Sequence, residues 1–117
     1  MPTFSVLRSL VEASEELKIP LRVGVGIAGD AFYAPRDPKP SLQMTTAGVL
    51  FVEMESDTLF IVGAARGWRT GALFASDGAP GQIKPDWGEA DFRRGEMDAI
   101  NIERQAMWKI AQADQAK

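Results

Sequence analysis

The 117-residue sequence contains no cysteine and no histidine. That excludes thiol nucleophiles, imidazole acids and bases, Ser-His-Asp triads, and any zinc, haem or iron–sulfur site held by Cys or His. Chemistry is left to carboxylates, Lys, Arg, Ser and Thr hydroxyls and one tyrosine, Tyr33. Excess positive charge is also missing. Thirteen Lys and Arg stand against 16 Asp and Glu, for a net charge of −3, and the basic residues form no stripe. Nucleic-acid binding is therefore disfavoured, because it rests on neutralising phosphates. Long apolar runs are absent too. The longest, Ala47–Val52 and Leu59–Ala65, fall far short of the roughly 18 residues that a membrane helix requires. No basic stretch precedes the first apolar segment, and Arg8 and Glu12 interrupt it, so it does not read as a signal peptide. The expected compartment is the cytoplasm, with no membrane contact.

What is present is an ordinary globular composition, 45% hydrophobic and 25% charged, in a length that predicts a single domain over residues 1–117. A chain of this size can bury roughly two-thirds of its unfolded surface without disulfides or a metal. Phe4, Val6, Leu7, Leu10, Val11, Ala13 and Leu17 recur at intervals of three and four, which predicts an amphipathic helix over Phe4–Leu17. Thr3 is a candidate N-cap, and Pro20 denies the helix continuation. Leu21, Val23, Val25 and Ile27 then alternate with Arg22, Gly24, Gly26 and Ala28, a strand with one nearly bare face against which something packs closely. From Gly29 to Ser41 the proline-rich run predicts an extended loop. Thr45–Glu55 reads as a strand. Glu55, Ser56, Asp57 and Thr58 supply turn residues, Leu59–Ala65 forms the return strand of a hairpin, and Thr70–Ala75 adds a third member of the meander. A second loop runs from Ser76 to Gly88. Met97, Ile100, Met107, Ile110 and Ala111 fall at helical spacing and predict a C-terminal helix, with the last residues frayed.

Together these elements predict an α+β fold in two layers. A mainly antiparallel sheet of about four strands carries the N-terminal and C-terminal helices on one face. Both faces of the hairpin are apolar near its middle, so the second face needs a cover. A homo-oligomer contact through Val49, Phe51, Leu59 and Ile61 supplies one, in a homodimer or a higher assembly. Trp108 is a candidate to join it.

Three groups of residues are candidate sites. Gly24, Gly26 and Gly29, followed by Asp30, spell GxGxxG after a strand, as dinucleotide-binding folds do. A proline-rich loop follows instead of a helix, so close packing is the better reading of these glycines. Glu53, Glu55 and Asp57 project at i, i+2 and i+4 and could present carboxylates to a hard cation. At a hairpin tip, solvated charges that discourage edge pairing explain them better, and no metal or cofactor is expected. Arg66, Trp68 and Arg69, with Trp87, Arg93 and Arg94, make the strongest candidate, an aromatic and cationic surface for a protein partner or an anionic ligand. Tyr33 reads as a packing anchor, and Met44, Met54, Met97 and Met107 as core filler.

Without His or Cys, the residues favour a small non-enzymatic binding or assembly protein that self-associates and offers a surface to another protein. The alternative is a small ligand-binding domain or enzyme, with a pocket for an anionic metabolite or nucleotide formed by loops 29–36 and 66–87. No catalytic residue is assigned. The Ala-, Gly-, Asp- and Arg-rich composition is of the kind found in bacterial or phage proteins.

Overall fold

A computed structural model of the protein describes residues 1–30, 38–78 and 88–116. The chain divides into two compact units, one built from residues 22–70 with Met1, the other from Pro2–Leu21 and the residues from Gly71 on.

In the second unit, α1 (Phe4–Leu17) packs on α4 (Glu89–Gln115). Thr3 is extended and caps α1 through its carbonyl, which accepts the amides of Val6 and Leu7 at 3.0 Å; its hydroxyl makes no cap. At the other end Lys18 turns left-handed, its amide and that of Ile19 returning to Glu15 and Ser14. Pro20 follows. The core is Leu10 and Ala13 of α1 against Ile102 and Ala106 of α4, flanked by Val6, Ile19 and Leu73. Gly71 allows its segment to pass close to α1, since a Cβ there would stand 2.6 Å from the Val6 side chain. Lys109 bonds the Glu16 carboxylate and lies 3.3 Å from Glu12, while Gln105 donates to Glu16 at 3.0 Å. The bonds from Lys109 and then Gln105 hold the Glu16 carboxyl below its ordinary value, and the bond to Glu16 holds the Lys109 ammonium above its own. None of the described helices is long and apolar enough to cross a membrane.

The first unit runs β1 (Val25–Ala28), α2 (Pro38–Thr46), β2 (Val49–Glu53), α3 (Ser56–Ala65). Its two strands pair in parallel, with Val25 opposite Val49, Gly26 opposite Phe51 and Ala28 opposite Glu53. The register slips by one residue between Val25 and Gly26, leaving Leu50 as a bulge on β2. Leu50 and Phe51 lie where side chains at Gly24 and Gly26 would be, so these two glycines let β2 approach β1.

This architecture corrects the expected antiparallel sheet of four strands: the described residues form one two-stranded parallel sheet among helices. Three local causes account for the difference. Pro38 and Pro40 stand in the first turn of α2, where the amide hydrogens they lack would have no intrahelical partner, so the proline run starts a helix instead of forbidding one. A helix between two strands permits the parallel crossover. Leu59–Ala65 is helix and not a return strand, because a short run of apolar residues suits a buried helix as well as a buried strand. Ser56, Asp57 and Thr58 are as good at opening a helix as at turning a hairpin. The third expected strand, Thr70–Ala75, is not a strand either.

Candidate active site

The two strands end side by side. The Gly29 amide donates to the Glu53 carbonyl at 2.9 Å, one residue past Ala28, so Gly29–Asp30 and Met54–Glu55 emerge at the same carboxyl edge. In open parallel sheets that edge is where ligands bind. Helix α3 begins at once, with Ser56.

The Glu53 side chain folds back onto this junction. Its Oε2 accepts the amides of Glu55 at 2.8 Å and Ser56 at 2.7 Å, and its Oε1 accepts the Ser56 hydroxyl at 2.6 Å. A carboxylate at a helix N-terminus meets both unpaired amides and the positive end of the helix dipole. Partial burial raises its pKa, but the bonds from the Ser56 hydroxyl and from the amides of Glu55, Ser56 and Met54 outweigh that and hold the carboxyl below its ordinary value. Asp57 is exposed and bonds locally, its Oδ1 accepting the Thr58 amide at 2.6 Å. Between them the Glu55 carboxylate is exposed and has no partner among the described residues. The three carboxylates therefore have separate tasks, and the described residues contain no cluster able to hold a metal ion.

The aromatic and cationic set is divided. Arg66, Trp68 and Arg69 belong to the first unit, Arg93 and Arg94 to the second, and Trp87 lies outside the described residues, as does Tyr33. Gly67, at φ +67°, closes α3 by sending its amide to Ala64 and that of Trp68 to Gly63 at 2.8 Å. Trp68 is thereby fixed just beyond the helix, 56% exposed, with the Arg66 guanidinium 5.2 Å above its ring. Arg93 pairs with Glu89 at 2.6 Å and Arg94 with Asp91 at 2.9 Å, both within α4. Of the four expected subunit contacts, Val49 and Phe51 are half-buried on β2, whereas Leu59 and Ile61 are exposed on α3, so they do not share a sheet face. Residues 31–36 and 79–87, which complete the two loops expected to form a pocket, lie outside the described residues.

Fold and edge together define a unit of parallel strands and helices, the class of protein in which ligands bind at the carboxyl ends of the strands. The sequence profile of the Phosphorylase superfamily matches residues 1–108, and the chain belongs to that family. It is 36% identical over 90 residues to a purine nucleoside phosphorylase of Plasmodium vivax, covering 76% of this chain and 35% of that protein. Against a guanosine phosphorylase of Halorubrum lacusprofundi the identity is 30% over 104 residues, 89% of this chain and 43% of the relative. A purine nucleoside phosphorylase of the DeoD type from Colwellia psychrerythraea is 41% identical over 64 residues, 55% and 27% of the two chains. The chain thus spans about a third of the length of the curated relatives it matches. These matches overturn the expectation of a non-enzymatic binding or assembly protein. They point to an enzyme and favour the alternative of a small-molecule site.

The fold-back of Glu53 and the openness of Glu55 were hidden by the hairpin reading. The available signal was a strand ending in Glu53 with Ser56 three residues on, which suits a strand-to-helix junction capped by a carboxylate.

Proposed function

We propose that the chain carries the sugar-facing part of the site of a purine nucleoside phosphorylase. In that reaction an oxygen of inorganic phosphate bonds to the anomeric carbon of the ribose and the bond from that carbon to the purine nitrogen breaks. The base leaves with the electron pair and takes up a proton. The observation that carries the reading is Glu55, an exposed carboxylate beyond the ends of two parallel strands, on a junction that Glu53 clamps. Ribose hydroxyls are donors, and a carboxylate with free lone pairs is a suitable acceptor for them. The test is release of guanine from guanosine by the protein in phosphate buffer, followed by ultraviolet absorbance. Glu55→Gln should lower kcat/KM about ten- to hundredfold, the loss of a hydrogen bond to a charged group being about 1.5–3 kcal/mol. Failure of the unaltered protein both to bind and to cleave any purine nucleoside would overturn the assignment.

Self-association in the cytoplasm is part of the same proposal. Its support has moved from the sheet to α4, where Met97, Ile100, Met107 and Trp108 form a stripe at helical spacing and are 56%, 54%, 71% and 61% exposed. Light scattering across a dilution series tests it: Met107→Glu should dissolve any multiple of the monomer mass.

A further inference from the structure

Asp77–Gly78 is the one Asp-Gly pair in the sequence, and Asn-Gly does not occur. An aspartyl carboxyl carbon and the amide nitrogen of the next residue can close a five-membered ring wherever the backbone is able to rotate them together. The segment from Ser76 to Gly78 lies outside any helix or strand. Gly78 has no Cβ to crowd its nitrogen, and nothing stands within 4 Å of the place a Cβ would take. At φ +152° it already holds a conformation that residues with side chains rarely adopt. The Ser76 hydroxyl donates to the Gly78 carbonyl at 3.1 Å, so the chain turns over Asp77. The other described aspartates are placed differently. Asp57, Asp91, Asp98 and Asp114 lie in helices, whose repeating dihedrals fix the following amide. Asp57 shows the contrast, since its carboxylate oxygen accepts the Thr58 amide hydrogen and Thr58 is β-branched. Asp30 precedes an alanine.

We propose that Asp77–Gly78 is a self-modifying site, at which the chain forms a succinimide and from it isoaspartate. The Gly78 nitrogen bonds to Cγ of Asp77, and one carboxyl oxygen leaves as water with the amide hydrogen and one further proton, its own or the solvent's. Water then opens the imide at either carbonyl. Breaking the bond from the Gly78 nitrogen to Cγ restores aspartate. Breaking its bond to the main-chain carbonyl carbon of Asp77 leaves isoaspartate, with the main chain running through the former side chain. Every reacting atom except water belongs to residues 77 and 78, so the step needs no partner and is independent of the activity proposed above. It inserts one carbon into the main chain between Ser76 and Gly78, and the turn closed by the Ser76 hydroxyl loses its spacing.

The test holds the protein in neutral buffer, samples it over days and assays isoaspartate in two ways. A carboxyl methyltransferase specific for isoaspartyl residues, supplied with labelled S-adenosylmethionine, counts the modified chains. Mass spectrometry of a protease digest locates the change. Label should rise with time, while the peptide containing Asp77 resolves into two forms of equal mass, preceded by a form lighter by one water. Asp77→Glu should lose the label, because its imide ring would have six members and closes far more slowly. Asp77→Asn should gain label faster than the unaltered protein, since it reaches the same imide by losing ammonia and its uncharged amide carbon is a better electrophile than a carboxylate. An unaltered protein in which position 77 stays unmodified overturns the proposal. So does a label that Asp77→Glu leaves in place, which would put the isoaspartate at another aspartate.

Discussion

Replacing Glu53 by alanine tests whether its carboxylate holds the strand-to-helix junction. The change removes an acceptor of two backbone amides and one hydroxyl at the start of α3. Because the junction is partly open to water, the freed donors rehydrate, so the cost is that of a lost helix cap, about 1–2 kcal/mol. That corresponds to a roughly 5- to 30-fold rise in local opening. Amide exchange at Glu55 and Ser56, expressed as protection factors, reads it directly. The pH dependence follows from the depressed pKa of Glu53 in the folded protein. Its contribution is complete above the unfolded carboxyl value, about 4.3, and disappears as pH falls through the lower folded value. The Glu53→Ala deficit should therefore be full at pH 7 and shrink progressively in acid. Glu53→Gln separates charge from geometry. Its amide oxygen can still accept the two backbone amides while its NH2 donates to the Ser56 hydroxyl, so protection should be intermediate and insensitive to acid. Equal protection in Glu53→Ala and the unaltered protein at pH 7, or a deficit that persists unchanged in acid, would refute the clamp.

Ile102→Ala removes the largest fully buried side chain of the α1–α4 core; it should destabilise that unit by about 2–5 kcal/mol, read as a lowered Tm or denaturant midpoint. Lys109→Gln should let the Glu16 carboxyl titrate closer to its ordinary value in a carboxyl-detected NMR titration, since Lys109 is the main cause of its depression. Gly26→Val should disrupt β1–β2 pairing, because its side chain would occupy the space of the Phe51 ring; the measurement is loss of the Gly29 amide protection that the bond to Glu53 confers.

Helix α1 was legible because it has one buried stripe and one polar side, whereas α4 was found from Met97, Ile100 and Met107, which are exposed, and not from Ile102 and Ala106, which make its core contacts. Leu10, Ala13, Ile102 and Ala106 repeat at the interval that a helix requires. The first unit lacks that contrast. Val49–Glu53 alternates in burial, yet its sequence is apolar on both sides, and α3 has no polar side for seven residues. Such runs are what parallel α/β elements carry, and periodicity alone cannot tell strand from helix within them. Prolines add a second ambiguity, since Pro38 and Pro40 are breakers inside a helix but are tolerated in its first turn. The glycines were more informative: the bare face of β1 at Gly24 and Gly26 is filled by Leu50 and Phe51. Glu53 and Glu55 stood out at a strand end, but a hairpin tip and a strand-to-helix junction place the same residues in opposite chemical settings, one solvated and one organised around amides.

The absence of histidine and cysteine weighed toward a non-enzymatic protein, and the phosphorylase proposal shows why that weight was misplaced. Thiols and imidazoles matter where the protein must itself provide a nucleophile or generate one by taking a proton. In phosphorolysis the nucleophile arrives as a substrate already carrying negative charge. Under that proposal what is asked of the chain is positioning, which pairs acceptors with hydroxyl donors and fixes the reacting carbon relative to the incoming oxygen. Carboxylates on rigid strand ends can do this without titrating near neutral pH. A clamp built on Glu53, with its carboxyl held below the ordinary value, remains ionised and in place at neutral pH. Glu55 beside it remains open to solvent. The composition excluded a class of nucleophiles, and a reaction that borrows its nucleophile lies outside that exclusion.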